Sequence, residues 1–270
     1  MKALVLCADD FAIHEAASRG IVELAQAGRI SATSAMVLSP RWKQDATLLQ
    51  QLRGQVDVGL HLDWTSPFAH AAGHGLSLGA AMLRSTLGGF NRSQARGVIQ
   101  RQLDAFEACW QASPDHIDGH QHVQQFTGIR EALLDVMAQR YAARQPWLRV
   151  SRVIGPRAGL KGAVITALGA GALESAAAQA GIPCAPCLTG IYDFAGDEPR
   201  YAGLMDDWLQ NARAGAVIMC HPARSAEVGD EIGVARAREF DWLAGAGFAR
   251  ALDNAQVRLS TGTAIYRERG

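Results

Sequence analysis

Long apolar runs are missing from this 270-residue chain. None approaches the roughly 20 residues that a membrane-spanning helix needs, so no membrane span is expected. An excess of one charge is missing too. The 26 basic and 26 acidic residues cancel, and no basic run or basic–aromatic interleaving offers itself to nucleic acid or an acidic membrane. Cysteine is scarce. Cys7, Cys109, Cys184, Cys187 and Cys220 are an odd number without framework spacing, which excludes a disulfide scaffold. Cys184 and Cys187 have the spacing of a redox or zinc pair, but no second pair accompanies them, and they are read as incidental. The apolar stretch at the N-terminus stops at Asp9, short of a secretory signal's apolar core. A cytoplasmic enzyme is the default expectation.

What is present is a regular alternation. Strand-like runs at 3–8, 33–38, 56–62, 116–118, 148–153, 188–194, 216–220 and 257–260 are separated by helical patterns at 14–27, 41–52, 94–110, 129–143, 161–180, 201–214 and 234–244. Seven or eight βα units with no linker predict one α/β domain over 1–270 with a parallel sheet, closed into a barrel in preference to an open doubly wound sheet. Residues 63–91 interrupt the pattern with Gly, Ser, His and Pro and only a weak helical stretch at 80–86, a length of irregular chain that usually serves a site.

Titratable residues gather where strands end, which is where barrels place their chemistry. The first strand ends in Asp9-Asp10. Two adjacent carboxylates at the tip of a buried strand need compensation, and a cation supplies it, one carboxylate binding and the other free for proton transfer. A helix-capping role for Asp10 is the plainer alternative. Gly59-Leu60-His61 ends the third strand. Asp115-His116-Ile117-Asp118-Gly119-His120-Gln121-His122 packs three His and two Asp into eight residues, a density suited to a metal and to carboxylates that orient its histidine ligands. His221-Pro222 ends the strongest late strand and offers an acid or base.

Together Ala8-Asp9-Asp10-Phe11, Gly59-Leu60-His61-Leu62, His116-Ile117-Asp118-Gly119-His120-Gln121-His122-Val123 and Met219-Cys220-His221-Pro222 resemble, in order, the motifs of the YdjC-like carbohydrate deacetylases. The resemblance implies an irregular (β/α) barrel related to polysaccharide deacetylases, hydrolysing the N-acetyl group of a small acetylated amino sugar or short oligosaccharide. It also implies one divalent ion, magnesium or zinc, on Asp10, His61 and His120, with Asp9 as general base and His221 as general acid. Ala12 stands where the family usually has Gly, and Gln124 where a further His commonly completes an alternating run. Trp64, Phe68, His122 and Arg149 are the candidates for substrate contact, and a homodimer is compatible with the chain. Two other readings stay open. His61 and Asp63 with a later His imitate the ligand triad of non-haem iron oxygenases, and a metal-containing sugar-binding protein without catalysis would carry the same ligands.

Overall fold

The computed structural model describes residues 1–154 and 159–267. The expected 1–270 domain thus includes two short stretches, 155–158 and 268–270, outside the described residues. The organising element is β1 (Lys2–Phe11), buried from Leu4 onward because parallel strands are covered on both faces. It is followed by β2 (Ala32–Ala35), β3 (Asp57–Leu62), β4 (His116–Gly119), β5 (Trp147–Leu148), β6 (Leu188–Thr189), β7 (Val217–Cys220) and β8 (Val257–Leu259). The strands run β5-β4-β3-β2-β1-β7-β6, all parallel, with β8 pairing the first residues of β1.

Single bridges at Leu148–Cys184 and Val153–Leu188 join the two edges. The result is a curled seven-strand parallel half-barrel, the irregular barrel that the family resemblance implies. Among the described residues no helix is long and apolar enough to cross a membrane.

Period-two alternation sorts the strand residues. Leu4, Leu6 and Ala8 of β1, Val58, Leu60 and Leu62 of β3, and Ile218 and Cys220 of β7 pack outward against the helices. Val5, Cys7, Ala32, Trp147, Leu188, Val217 and Met219 form a separate apolar layer inside. Continuing each inward series one step past that layer gives Asp9, His61, Asp118, Arg149 and His221. The interior therefore turns from apolar to ionic at the ends of the strands. Gly59 makes this packing possible, since a Cβ there would lie 2.3 Å from His116 Nε2.

Several elements are shorter than their patterns predict. The expected strand 148–153 ends at Leu148; beyond it the pairing is reduced to single contacts, the Arg149 N–H to the Ile117 carbonyl and an isolated bridge between Val153 and Leu188. The expected strand 188–194 stops at Thr189, and Phe194 sits at φ 61°. The expected helix 161–180 is two helices, Gly159–Ala167 and Ala170–Gln179, parted at Gly169 (φ 122°). The interrupting segment holds helices Pro67–Ala71 and Leu78–Thr86, and helix Ala246–Asn254 lies where no helix is expected.

Candidate active site

Adjacent residues of a strand point to opposite faces, so Asp9 and Asp10 can share one site only if the backbone breaks its alternation. It does. Asp10 adopts φ 66° and Ala12 φ 71°, and the β1–β2 register shifts between Ala8 and Phe11. Left-handed conformations cost L-residues roughly 1–2 kcal/mol each, and such strain gathers at functional positions.

The break gives the two carboxylates different partners. Asp10 Oδ1 lies 3.4 Å from His61 Nε2 and 3.2 Å from His120 Nδ1, while its Oδ2 accepts from Arg236 Nη2 at 2.7 Å. Burial alone would raise its pKa, but Arg236 and the two histidines hold it well below the usual carboxylate range. Asp9 is gripped at both oxygens by Arg149, at 2.6 and 2.7 Å. Here too burial pushes upward, and Arg149 brings the group below its ordinary value.

Asp118 ties the pieces together. Its Oδ1 faces His61 Nδ1 at 2.6 Å, and its Oδ2 accepts from Ser34 Oγ at 2.6 Å and lies 3.1 Å from Arg149 Nη2. Burial favours a neutral His61, yet Asp118 and Asp10 push its pKa up to about 10. A proton and a cation therefore compete for the same ring.

His221 Nε2 stands 4.0 Å from Asp9 Oδ2. Its main-chain N–H donates to Glu239 at 2.6 Å, and its ring meets Phe194 edge-on. Burial lowers its pKa to about 4, so the ring is neutral at neutral pH. Burial also lifts Glu239, which accepts from Tyr192, to about 7.

The donor set fits a divalent cation. Asp10, His61 and His120 each bring one ligand atom within 4.8 Å of the others, two imidazole nitrogens and one carboxylate oxygen suit zinc and its neighbours, and Asp118 orients His61 through its second nitrogen as carboxylates do for metal-bound histidines. Two further groups meet the same distance criterion, Asp9–His61–Asp118 and Cys7–His116–Asp118. Both oxygens of Asp9 are held by Arg149, and both of Asp118 by His61, Ser34 and Arg149, whereas Asp10 gives one oxygen to Arg236 and keeps the other facing the two imidazoles.

The sequence expectations fare unevenly in space. Asp9, Asp10, His61, His120 and His221 come together at one end of the barrel, with His122 beside them. Arg149 and Trp64 do not offer themselves to substrate. Arg149 is 0% exposed, its guanidinium spent on Asp9 and Asp118. Trp64 is 2% exposed and packs against His74 and Phe90. Phe68 is half-buried on its short helix.

Asp63 turns away from the site. Its carboxylate accepts from the N–H groups of Thr65 and Ser66 and from the Ser66 hydroxyl, which removes it from the triad an iron oxygenase would need. Sequence reading missed Arg236, Asp230, Ser34 and Glu239. Arg236 follows the His221 motif by a loop, held by Asp230 at 2.7 Å, and no local spacing announces it.

A parallel half-barrel thus gathers at its strand ends two histidines and an Asp that could hold a cation, beside a second, arginine-held Asp. The chain belongs to the YdjC-like protein family, whose pattern matches residues 3–254. Among curated relatives, the carbohydrate deacetylase of Mus musculus is 31% identical over 58% of this chain, and the match spans only 54% of that protein. The chitooligosaccharide deacetylase of Serratia marcescens is 28% identical over 82% of both chains. The solved structure of a candidate cellobiose-phosphate cleavage protein from Enterococcus faecalis superposes with TM-score 0.72 at 19% identity, covering 98% of this chain and 99% of that one.

Proposed function

We propose that this protein is a divalent-metal-dependent hydrolase that removes the N-acetyl group from an acetylated amino sugar or short oligosaccharide. One observation carries the reading. Asp10 faces two imidazole nitrogens while its neighbour Asp9 is turned to an arginine and toward His221, which is the division between ligand and base that amide hydrolysis needs. The names of the mouse and Serratia relatives support it.

A cation held by Asp10, His61 and His120 supplies Lewis acidity to the acetamide carbonyl and the attacking water. Arg149 fixes both oxygens of Asp9, so that the carboxylate keeps one direction and stays ionised. Asp9 accepts the water's proton. His221, neutral at rest, stands within reach of that proton and delivers one to the departing amine, which cannot leave as an anion. Glu239 anchors the His221 main chain and keeps the ring on that side of the site.

The same reading carries the remaining expectations of a single 1–270 domain, magnesium or zinc, and a cytoplasmic protein; sedimentation decides between monomer and homodimer. The test of function is acetate release from N-acetylglucosamine and its oligomers, after chelation and after addition of zinc, magnesium, manganese or cobalt. Release that stops on chelation and returns with metal is the expected result. Binding of these sugars without any acetate under every metal would leave a sugar-binding protein instead.

A further inference from the structure

Gln124 occupies the position where a further His is expected, and its bonds decide the state of a neighbour. The side chain is fully buried. Its Nε2 donates to the Arg149 main-chain carbonyl at 2.9 Å and to Ser151 Oγ at 3.1 Å. The carbonyl fixes the amide's orientation, because the reverse would set two acceptor oxygens against each other. That orientation is kept although it leaves Gln124 Oε1 without a partner.

A hydroxyl has a single hydrogen. With its oxygen accepting from Gln124, Ser151 turns that hydrogen toward its other neighbour, His122 Nδ1, 2.9 Å away. Nδ1 is then an acceptor, and the neutral ring carries its proton on Nε2. That bond at Nδ1 is the ring's one hydrogen bond among the described residues. The ring sits in the field of Arg149, Asp9, His61 and His221. The backbone is strained to put it there, with Gln121 at φ 53° and His122 at φ 65°.

We propose that Gln124, acting through Ser151, is a positioning residue that holds His122 as an Nε2–H donor for an acceptor oxygen of the substrate. The proposal rests on the deacetylase reading only for the identity of that oxygen.

Two-bond nitrogen–proton spectra of the zinc-loaded, ¹⁵N-histidine-labelled protein report the tautomer directly, with His122→Gln assigning the signal. Protonation at Nε2 at pH 7.5 is the expected result, and protonation at Nδ1 or on both nitrogens overturns the proposal. Gln124→Glu reverses the chain, because a carboxylate only accepts. It should capture the Ser151 hydrogen, move the His122 proton to Nδ1, and lower kcat/KM on diacetylchitobiose roughly 10-fold or more with zinc content unchanged.

A switched tautomer with unchanged kcat/KM would overturn the contact with substrate. If Gln124→Glu does not fold, the wild-type spectrum and the kinetics of His122→Gln decide. Absence of acetate from wild-type protein counts against the deacetylase reading for that sugar and leaves the spectrum as judge of the tautomer.

Discussion

Replacing Arg149 by Met keeps the length of the side chain and removes its charge, which isolates the role of the buried ion pairs. The guanidinium is sealed from solvent, 2.6 and 2.7 Å from the two oxygens of Asp9 and 3.1 Å from Asp118. Asp118 keeps His61 and Ser34 as partners, so the main loss falls on Asp9, whose next side-chain neighbour is the neutral ring of His221 at 4.0 Å. Breaking a buried pair from one side typically costs about 3–5 kcal/mol. For a chain of this size that corresponds to a fall in Tm on the order of 10 °C.

The deficit should depend on pH. In the wild type the folded-state pKa of Asp9 lies below its ordinary value, so the pair contributes stability above the unfolded-state pKa and loses it as pH falls through the folded-state value. Without Arg149, burial raises the folded-state pKa, which penalises the ionised form at neutral pH and stops doing so once Asp9 is protonated. Urea unfolding with chelator present, from pH 8 down to pH 5, should therefore show a gap between wild type and Arg149→Met that narrows on acidification. Adding Asp9→Asn to Arg149→Met should recover part of the loss, since the unpaired charge is gone. A pH-independent gap under about 1 kcal/mol, or a double variant no better than the single, would refute the view that this pair is buried and ionic.

Asp10→Asn should lower metal occupancy measured by elemental analysis, with excess metal restoring some acetate release, whereas Asp9→Asn should stay metal-loaded and fail to turn over at any metal concentration. The reverse pattern would exchange their roles. His221→Ala should keep its metal and lose roughly 10²–10⁴-fold in kcat, part of which an acetylated substrate with a better leaving group recovers; loss of metal would make His221 a ligand. Ala12→Gly should stabilise the fold by up to about 1 kcal/mol in urea, because Ala12 holds φ 71° and glycine adopts it without strain, less glycine's own entropic cost; destabilisation would mean that the Ala12 methyl packing outweighs the strain.

The barrel was legible because each buried strand is an apolar run stopped by a polar group, and Asp9, His61 and His221 advertise themselves as those stops. His120 was legible from the crowding of its segment. The partners that set their chemistry were not. Arg236 reaches Asp10 across 226 positions and Arg149 reaches Asp9 across 140, and no pattern within a helix or strand encodes such pairings. Trp64 read as a candidate for substrate contact, but the loop folds back on it through Leu76 and seals it in the core. The turn that brings Asp9 and Asp10 to one side was hidden for a similar reason, since neither Asp10 nor Ala12 is the glycine that signals a left-handed backbone.

Arg149, just past the edge strand β5, joins Asp9 on β1 to Asp118 on β4, so the groups proposed to handle the proton also tie the curled sheet together. A descendant that lost turnover could shed the loops around the site freely, but not these charges one at a time, because each single loss strands an ion in the interior. Drift toward an inactive relative would then begin at the partly buried His120 and at His122, and the Asp9–Arg149 pair would outlast the reaction it serves.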